Sequence, residues 1–367
     1  MNTLHVDLGQ QWRGGQNQAL FVIRGLLARG HVTELVAVRG SLLAKHAQAE
    51  GVRVHAVGCS AAQLRAVLPL RKILDDVRFD LVHCHDAHGL TTAWLAGVHR
   101  RALLVASRRV AYPLGRNRLA LARYRRAQRI IAVSRFVKES VLASGLPSEQ
   151  VEVIYDGVQV PHMPTREEGR GARRRWNVPD SSDLPLLGCV GYLLPEKGQE
   201  LLIRALPIVR KQYPDCRLVL AGDGPCRAGL ERLALELGVE RTVQFAGVVD
   251  DVSQVHQALD VFLFPSLAEP LGSSLLSAMA YGLPVVAVAG GAVPEVIEDG
   301  RNGLLVPTPE PSGIAAAVLR LLHDPSLSAR LGIAARKTIE ERFSADRMAQ
   351  ETIDLYQRVC LQRGQLG

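Results

Sequence analysis

The sequence lacks the features expected of a secreted, disulfide-stabilised or metal-binding protein. Its six cysteines are scattered over 367 residues, and they form neither a C-x-x-C pair nor another metal-ligand spacing. Buried, reduced thiols in a cytosolic protein are the simplest interpretation. The first residues also lack the basic start and long apolar run of a signal peptide. We therefore expect a cytoplasmic protein.

An unbroken membrane-spanning run is absent as well. The segment 271–294 carries no charged residue over 24 positions, which is long enough to cross a bilayer. It is interrupted by small and turn-forming residues, namely Gly272, Ser273, Ser274, Gly282, Pro284, Gly290 and Gly291. Such residues favour a loop, a short helix, a strand and a second loop. We reject a transmembrane helix here.

Acidic residues are missing from positions 87–138, where eleven arginines lie. Residues 1–163 hold 22 Lys and Arg against 11 Asp and Glu, a net charge of +11, whereas the remainder holds 22 against 25, a net charge of −3. Such a field favours an anionic partner, such as an anionic membrane surface or a phosphorylated glycan. A solvated basic face is the alternative. No nucleic-acid-binding motif accompanies the charge, so a nucleic-acid partner is not expected.

Short apolar runs alternate with segments of helical periodicity along most of the chain. The runs predict strands at Leu4–Leu8, Leu35–Val38, Val52–Val57, Leu81–His83, Leu103–Ala106, Ile130–Val133, Val151–Ile154, Leu186–Val190, Arg217–Ala221, Val243–Phe245, Val261–Phe264, Val285–Val288 and Leu304–Val306. Helices are predicted at Gln16–Ala28 and Ala345–Leu361, among others. This alternation indicates β-α-β units and parallel sheets covered on both faces.

The pattern pauses at 161–185, which contains four prolines and the basic run 173–175. This segment predicts an interdomain connection followed by an opening helix or loop. We therefore expect an N-terminal domain at 1–163 and a second domain at 164–344, with the C-terminal helix 345–367 packing back on the first. Two α/β domains facing each other would leave a cleft at the strand C-termini, where open α/β sheets bind ligands.

Two loops could meet a phosphate. The first strand ends at Gly9–Gly15, and glycines before a helix let backbone amides approach an anion closely. The segment is not G-x-G-x-x-G, so it does not indicate a dinucleotide site. The second domain opens with a strand followed by Tyr192 and Lys197. A lysine between a strand and a helix is well placed for a phosphate, although a solvated loop lysine is the default for an isolated example.

The most informative segment runs from Ser266 to Ala287. It contains an acid, Glu269, then a Pro-x-Gly turn, two serines and an apolar helix. The helix start offers unpaired amides to an anionic ligand. In the alternative interpretation, Ser273 or Ser274 caps the helix and Glu269 favours its dipole.

The order of these motifs resembles the GT-B-fold retaining glycosyltransferases of family GT4 over nearly the whole chain. The matching pieces are Gly14-Gly15, Asp80–His85, Ala132–Ser134, Val153–Val158, Gly191–Gly198, Ala221–Pro225, Phe245–Gly247 and Glu269–Val286. The resemblance implies two Rossmann-like, doubly wound parallel-sheet domains facing a central cleft.

The resemblance also implies roles for individual residues. Lys197 would contact the donor diphosphate, Glu269 would lie beside the donor sugar, and His85 would sit at the sugar; His83 and His88 compete for that last role. The donor-binding set would be Gly14, Gly15, Tyr192, Lys197, Gly222, Val248, Leu271, Gly272, Ser273, Ser274 and Ser277. In the basic first domain, Arg108, Arg109 and Lys138 are candidates for acceptor binding.

Two positions depart from the family pattern. The family usually has a second acid eight residues after the first, to hold the ribose hydroxyls, where this chain has Ser277. It also commonly has arginine where this chain has Tyr192. A serine can still bond a hydroxyl, but without charge assistance, a deficit of about 1 kcal/mol or more. These changes indicate either a divergent mode of donor binding or a weakened enzyme.

The resemblance thus implies a retaining transferase that uses a nucleoside-diphosphate sugar, without a metal or other cofactor. The expected acceptor is a glycan or lipid-linked molecule of bacterial cell-envelope polysaccharide or lipopolysaccharide synthesis, with the protein cytoplasmic or peripheral on the inner face of the membrane. Two alternatives stay open. One is a sugar-nucleotide 2-epimerase, and the other is a non-catalytic binder of sugar nucleotides or glycans.

Overall fold

The computed structural model describes residues 1–58, 63–114, 118–176 and 184–364. The chain forms two compact units. The first comprises Met1–Gly157 together with helix α15 (Ala345–Gly364), and the second comprises Val158–Ser344. The proline-rich segment predicts the boundary at 163/164. Residues 158–163 run along the second unit, where Val158 N donates to Phe343 O and Arg336 Nη2 donates to Pro161 O.

The first unit is built on a seven-stranded sheet. Its strands are β1 (Asn2–Asp7), β2 (Val32–Val38), β3 (Arg53–Val57), β4 (Leu81–Cys84), β5 (Leu103–Arg108), β6 (Arg129–Ala132) and β7 (Val151–Val153). The helices are α1 (Gly14–Ala28), α2 (Leu42–Ala49), α3 (Gln63–Asp76), α4 (Ala87–Ala96), α5 (Arg118–Arg125) and α6 (Arg135–Leu142), with α15 added from the C-terminus. The order is β3-β2-β1-β4-β5-β6-β7, and every pair is parallel.

The second unit repeats the plan with six strands. They are β8 (Leu186–Val190), β9 (Arg217–Ala221), β10 (Val243–Gly247), β11 (Val261–Phe264), β12 (Val285–Val288) and β13 (Leu304–Val306), all parallel in the order β10-β9-β8-β11-β12-β13. The helices are α7 (Arg166–Arg175), α8 (Gln199–Arg210), α9 (Arg227–Glu236), α10 (Ser253–Ala258), α11 (Ser273–Ala280), α12 (Val293–Val296), α13 (Pro311–His323) and α14 (Pro325–Arg342). The two sheets confirm the predicted doubly wound α/β fold.

Each sheet has one point where the strand order reverses. In the first unit this point lies between β1 and β4, and in the second it lies between β8 and β11. The connections after those strands leave in opposite directions, which opens a crevice at the carboxyl ends where α/β proteins bind ligands. The glycine-rich loop and His85 follow β1 and β4, whereas Lys197 and Glu269 follow β8 and β11. Both sets of predicted site residues therefore lie at switch points.

Apolar periodicity explains how the helices cover the sheets. On α1, Leu20 and Ile23 pack with Leu35 of β2 and with α2. The neighbouring stripe of α1, which includes Val22, packs instead with Tyr356 of α15 and the middle strands. One helix thus contributes to two hydrophobic clusters, so that α15 completes the core of the first unit.

Several predicted boundaries change. Helix α1 begins at Gly14 rather than Gln16, because the Gln16 side chain accepts a hydrogen bond from Arg13 N and completes the first turn around the glycines.

Cys84, Cys189 and Cys216 are buried as expected, but Cys226 and Cys360 are only partly buried. Cys59 lies outside the described residues. Segment 271–294 forms α11, β12 and α12, which confirms its interrupted character. No described helix is long and apolar enough to cross a membrane.

Buried histidines make the free energy of unfolding depend on pH. His256 of α10 is 1% exposed, and neither ring nitrogen has a partner among the described residues. Burial lowers its pKa from 6.5 to about 3. Below pH 6.5 the unfolded chain therefore binds a proton at His256 that the folded protein binds only near pH 3. The contribution of neutral His256 to the free energy of unfolding is fully present above pH 6.5 and is lost as the pH falls toward 3. Burial lowers the pKa of His5, His83 and His85 in the same direction.

We predict that His256→Leu reduces the acid sensitivity of the fold. Between pH 7.5 and pH 5.0, the loss in unfolding free energy should be roughly 2 kcal/mol smaller than in the wild type. Urea unfolding at the two pH values measures it. Asp86, whose pKa is raised to about 6, makes the fold more stable as the pH falls. This effect is present in both the wild type and His256→Leu, so it does not alter the difference between them. His162→Leu, at an exposed side chain, is the control. Equal acid sensitivity of wild type and His256→Leu would contradict the prediction.

Candidate active site

Lys197 and Glu269 form a close ion pair in the second unit. Lys197 Nζ lies 2.6 Å from Glu269 Oε2, and Ser266 Oγ donates to the same oxygen at 2.7 Å. The carboxylate of Glu269 is almost completely buried, whereas the lysine side chain keeps 29% of its exposure. A buried acid thus faces a partly accessible cation at the β8/β11 switch point. The structure brings together the two residues to which the family resemblance assigns the diphosphate and the donor sugar.

Glycines allow the loops around this pair to pack closely. A Cβ on Gly198, which has φ +69°, would lie 2.3 Å from Pro265 O, and one on Gly291, which has φ +59°, would lie 2.3 Å from Glu269 O. Ala292 N donates to Glu269 O and Leu267 N donates to Glu196 O, so backbone hydrogen bonds fix the loop after β11 on both sides. The loop that carries Glu269 therefore needs glycine at positions 198 and 291, because a larger side chain there would displace its backbone.

Helix α11 begins next to this pair without a side-chain cap. Its N-cap residue is Gly272, with φ +102°, and no side chain among the described residues caps it. The alternative in which Ser273 or Ser274 caps the helix is therefore wrong. Leu271 and Gly272 are buried, Ser273 is exposed, and Ser274 is half-buried. The start of the helix offers backbone amides and the positive end of its dipole to an anion.

The other residues predicted to hold a donor lie around the same edge of the second sheet. Tyr192, after β8, is 48% exposed, and Val248, after β10, is 79% exposed. Gly222, after β9, has φ +136°, and a Cβ there would meet Gly191 O at 2.0 Å, so the glycine is required by backbone contact alone. Ser277 is half-buried on α11. Their roles in donor binding stay predictions.

In the first unit, two acids fasten the glycine-rich loop after β1. Asp7 Oδ1 accepts hydrogen bonds from Gly9 N and Gln16 Nε2, and Asp86 Oδ1 accepts one from Leu8 N. Burial raises the pKa of Asp86 to about 6, with the negative charge of Asp7 adding to the effect. Gly14 and Gly15 then form the first turn of α1. The loop is thus held at both ends by carboxylates that repel one another.

His85, Arg109 and Gly15 come together at the β1/β4 switch point. Arg109 Nη1 donates to His85 O at 3.4 Å, and a Cβ on Gly15 would lie 3.8 Å from Arg109 Cδ. The guanidinium also pairs with Asp156, whose Oδ1 lies 3.0 Å from Arg109 Nε. Burial raises the pKa of Asp156, and Arg109 opposes that rise. Asp156 was not among the predicted site residues.

The three competing histidines have different surroundings. His83 is buried, and its two ring nitrogens contact Tyr356 Oη and Ser107 Oγ. His88 is exposed on α4. His85 is 4% exposed, its Nε2 lies 2.8 Å from His5 Nδ1, and its Nδ1 has no partner among the described residues. Burial holds the pKa of His85 well below 6.5, and His83, His5 and Arg109 lower it further. His85 alone of the three retains a ring nitrogen that is both buried and unpartnered.

The acceptor candidates differ in accessibility. Arg108 is 5% exposed; its guanidinium donates to Tyr112 O and lies 4.8 Å from the ring centroid of Tyr112. Arg109 is occupied by Asp156, and Lys138 is half-buried on α6. Among the described residues, Arg108 also has a buried Nε without a hydrogen-bond partner. The roles of all three residues in acceptor binding stay predictions.

Comparison with known proteins identifies the family. The model of Glycosyltransferase Family 4 matches residues 12–160, and the model of Glycosyl transferases group 1 matches residues 173–338. An uncharacterized glycosyltransferase of Methanocaldococcus jannaschii is 31% identical over 363 residues, which cover 90% of this chain and 91% of the relative. The chain is a GT4-type glycosyltransferase.

Other relatives and structures agree with this assignment. A GDP-mannose-dependent alpha-(1-6)-phosphatidylinositol monomannoside mannosyltransferase of Mycolicibacterium smegmatis is 33% identical to this chain. The alignment covers 68% of this chain and 72% of the relative. The crystal structure of HepE from Anabaena, in complex with UDP and glucose, superposes with a TM-score of 0.86 at 22% identity, covering 97% of this chain and 99% of that one. This similarity confirms the predicted GT-B fold.

Several residues around the site of the glycosyltransferase were not predicted from the sequence. They are His5, Asp156, Ser266, Gly291 and Tyr356, which contact predicted site residues or their neighbours. Ser266 lies at the start of the Ser266–Ala287 segment and Gly291 just after its end, and the Gly290-Gly291 pair after a strand is a usable signal. His5 and Tyr356 gave no signal, because their contacts depend on strand pairing and on the return of α15 to the first unit.

Proposed function

We propose that the protein transfers a glycosyl unit from a nucleoside-diphosphate sugar, with retention at the anomeric carbon, to a glycan or lipid-linked acceptor of the bacterial cell envelope. Relatives support this proposal. The mycobacterial relative is named for a GDP-mannose donor and a phosphatidylinositol mannoside acceptor, and the Anabaena structure contains UDP and glucose. The basic first unit is suited to an anionic acceptor.

The observation that carries the proposal is the Lys197–Glu269 pair beside the uncapped start of α11. During transfer the bond between the anomeric carbon and the diphosphate oxygen breaks, and negative charge grows on the departing phosphate. The ammonium of Lys197 and the helix amides would stabilise that charge. Glu269, fixed by Ser266, would lie beside the sugar, whose transition state resembles an oxocarbenium ion.

Retention requires the acceptor oxygen to bond to the anomeric carbon on the face that the diphosphate leaves. The acceptor hydroxyl proton then passes to the departing phosphate oxygen, so charge and atoms balance without another reactant. Lys197 and the start of α11 supply the positive charge that a divalent cation supplies in other enzymes. We therefore expect turnover to continue in the presence of a chelator.

A single experiment can distinguish this function from its rivals. Thermal unfolding is first measured with UDP-, GDP- and ADP-sugars, because a bound donor raises the unfolding temperature by mass action. The best donor is then incubated alone and with an acceptor panel, and the anomeric configuration of the product is read by NMR. Epimerised sugar without acceptor would indicate the 2-epimerase. Binding without product would indicate the non-catalytic binder, and an inverted linkage would exclude retention.

Peripheral membrane attachment forms part of the proposal. Among the described residues, α5 and its flanks combine the exposed basic residues Arg125 and Arg126 with exposed Tyr112 and Leu119. Basic residues beside apolar side chains favour anionic headgroups. Flotation with vesicles containing anionic lipid should carry the protein upward at low salt, whereas vesicles of neutral lipid should not. Equal recovery with both would contradict membrane attachment.

A further inference from the structure

Three imidazoles project from one face of the first sheet. His5 of β1 lies opposite His83 of β4, and His85 follows two residues later, so all three side chains point to the same side. They are 0%, 1% and 4% exposed, respectively. Tyr356 of α15 covers this face and contacts His83. The cluster is therefore completed by the returning C-terminal helix.

The cluster divides into two hydrogen-bonded sets. His83 uses both nitrogens, with Tyr356 Oη 2.5 Å from Nδ1 and Ser107 Oγ 2.8 Å from Nε2. His5 Nδ1 and His85 Nε2 lie 2.8 Å apart, which requires a proton between them. The outer nitrogens, His5 Nε2 and His85 Nδ1, have no partner among the described residues. His5 and His85 thus form a pair that shares one proton.

The same residues form a group whose ligand atoms all lie within 4.8 Å of one another. A zinc ion would need three nitrogen lone pairs converging at about 2.0–2.1 Å. Here His83 directs both nitrogens to hydroxyl groups, and the His5 and His85 nitrogens already bond to each other. The geometry favours a hydrogen-bonded pair over a metal site.

We infer that His5 is a positioning residue that fixes the ring of His85 through Nε2 and leaves Nδ1 as the nitrogen that meets a ligand. This inference rests on the proposed function, in which His85 contacts the sugar. When His5 Nδ1 donates, His85 Nδ1 carries the proton of its neutral ring and can donate to a hydroxyl. When both neutral rings are in the other tautomer, His85 Nε2 donates to His5 Nδ1, His5 carries its proton on Nε2, and His85 Nδ1 accepts instead. The bond to His5 thus couples the tautomer of His85 to that of a fully buried ring.

The main chain supports the same orientation. His85 N donates to Val6 O at 2.9 Å, and Arg109 Nη1 donates to His85 O at 3.4 Å. The backbone of His85 is therefore fixed to β1 and to Arg109, so the remaining freedom is rotation of the ring. His5 removes that freedom, because turning the ring away would break the only bond that Nε2 makes among the described residues.

Nitrogen NMR of histidine-labelled protein tests the bond directly. His85→Gln identifies the His85 signals, and His5→Leu removes the partner of Nε2. We expect the Nε2 signal of His85 to move in His5→Leu and to stay in place in Tyr356→Phe. Tyr356→Phe is the matched control, because it removes a hydrogen bond from His83 in the same cluster but leaves the His5–His85 contact intact.

Turnover provides the second readout. We expect His5→Leu to lower kcat about tenfold, with the donor KM changed by less than about twofold, because a misplaced imidazole affects transfer more than binding. His5→Asn, whose amide can occupy the position of Nδ1, should recover most of the lost kcat. Tyr356→Phe should stay within about twofold of the wild type. If His5→Leu fails to fold, His5→Ala takes its place, with the same expected loss of kcat and with His5→Asn again as the rescue.

The outcomes separate this inference from the function on which it rests. An unchanged His85 Nε2 signal in His5→Leu, with impaired turnover in His85→Gln, overturns the positioning role alone. Wild-type turnover in His85→Gln overturns the part of His85 in transfer and with it the role of His5. Stoichiometric zinc in the purified protein, released by His5→Leu, also overturns the inference, since a metal would then occupy the nitrogens.

Discussion

Replacement of Lys197 by alanine is expected to lower kcat/KM for the nucleotide-sugar donor by about 10²–10³-fold. Loss of one preorganised group that stabilises charge on a leaving oxygen has an effect of that size. Lys197 stands 2.6 Å from Glu269 and keeps 29% of its side-chain exposure, so the cation is both fixed and accessible. Its loss also leaves the buried carboxylate of Glu269 without a charged partner, which should reduce stability by about 1–3 kcal/mol.

The two effects can be separated by choice of temperature and control. Turnover is measured well below the unfolding midpoint of each variant, so that all molecules are folded. Lys337→Ala is the matched control, because Lys337 pairs with Glu341 across 3.7 Å on an exposed face of the same unit. It should change turnover less than twofold, since exposed pairs contribute little. Turnover of Lys197→Ala within twofold of the wild type would remove Lys197 from the proposed chemistry.

The fold could be predicted because its signals are local. Buried parallel strands leave short apolar runs such as Val285–Val288, and helices leave periodic faces such as that of α1. Boundaries were less accurate. The start of α1 moved to Gly14, because glycine fits a first helical turn that Gln16 closes through its side chain. In the sequence, only the three-residue spacing of Arg13 and Gln16 indicates that hydrogen bond.

The contact between two of the predicted site residues could be expected from strand order. Lys197 and Glu269 lie on separate loops, yet both follow strands that flank the switch point, so strand order alone brings them together. The opposite holds for His5 and Tyr356, which are 80 or more residues from their partners in sequence. Their contacts depend on the register of β1 with β4 and on where α15 packs, and neither can be read from composition or periodicity.

Glycine at position 291 is expected to be indispensable for the placement of Glu269. Gly291 has φ +59°, where an L-residue is strained, and a Cβ there would lie 2.3 Å from Glu269 O and 2.6 Å from Glu269 N. We expect Gly291→Ala to destabilise the second unit by about 3 kcal/mol, the sum of backbone strain and displacement of the β11–α11 loop. Because Glu269 must move with its backbone, turnover should fall on the order of 10²-fold.

Gly300→Ala separates the effect of backbone strain from the effect of the steric contact between residue 291 and Glu269. Gly300 has a similar φ of +69°, but nothing lies within 4 Å of a Cβ built there. The same substitution should therefore cost only about 1 kcal/mol of strain and leave turnover near the wild-type value. Urea unfolding and donor turnover of both variants measure the difference. Equal losses of stability, or normal turnover in Gly291→Ala, would mean that Glu269 keeps its place without the close packing of Gly291. The carboxylate beside Lys197 would then be positioned by Ser266 and the lysine alone.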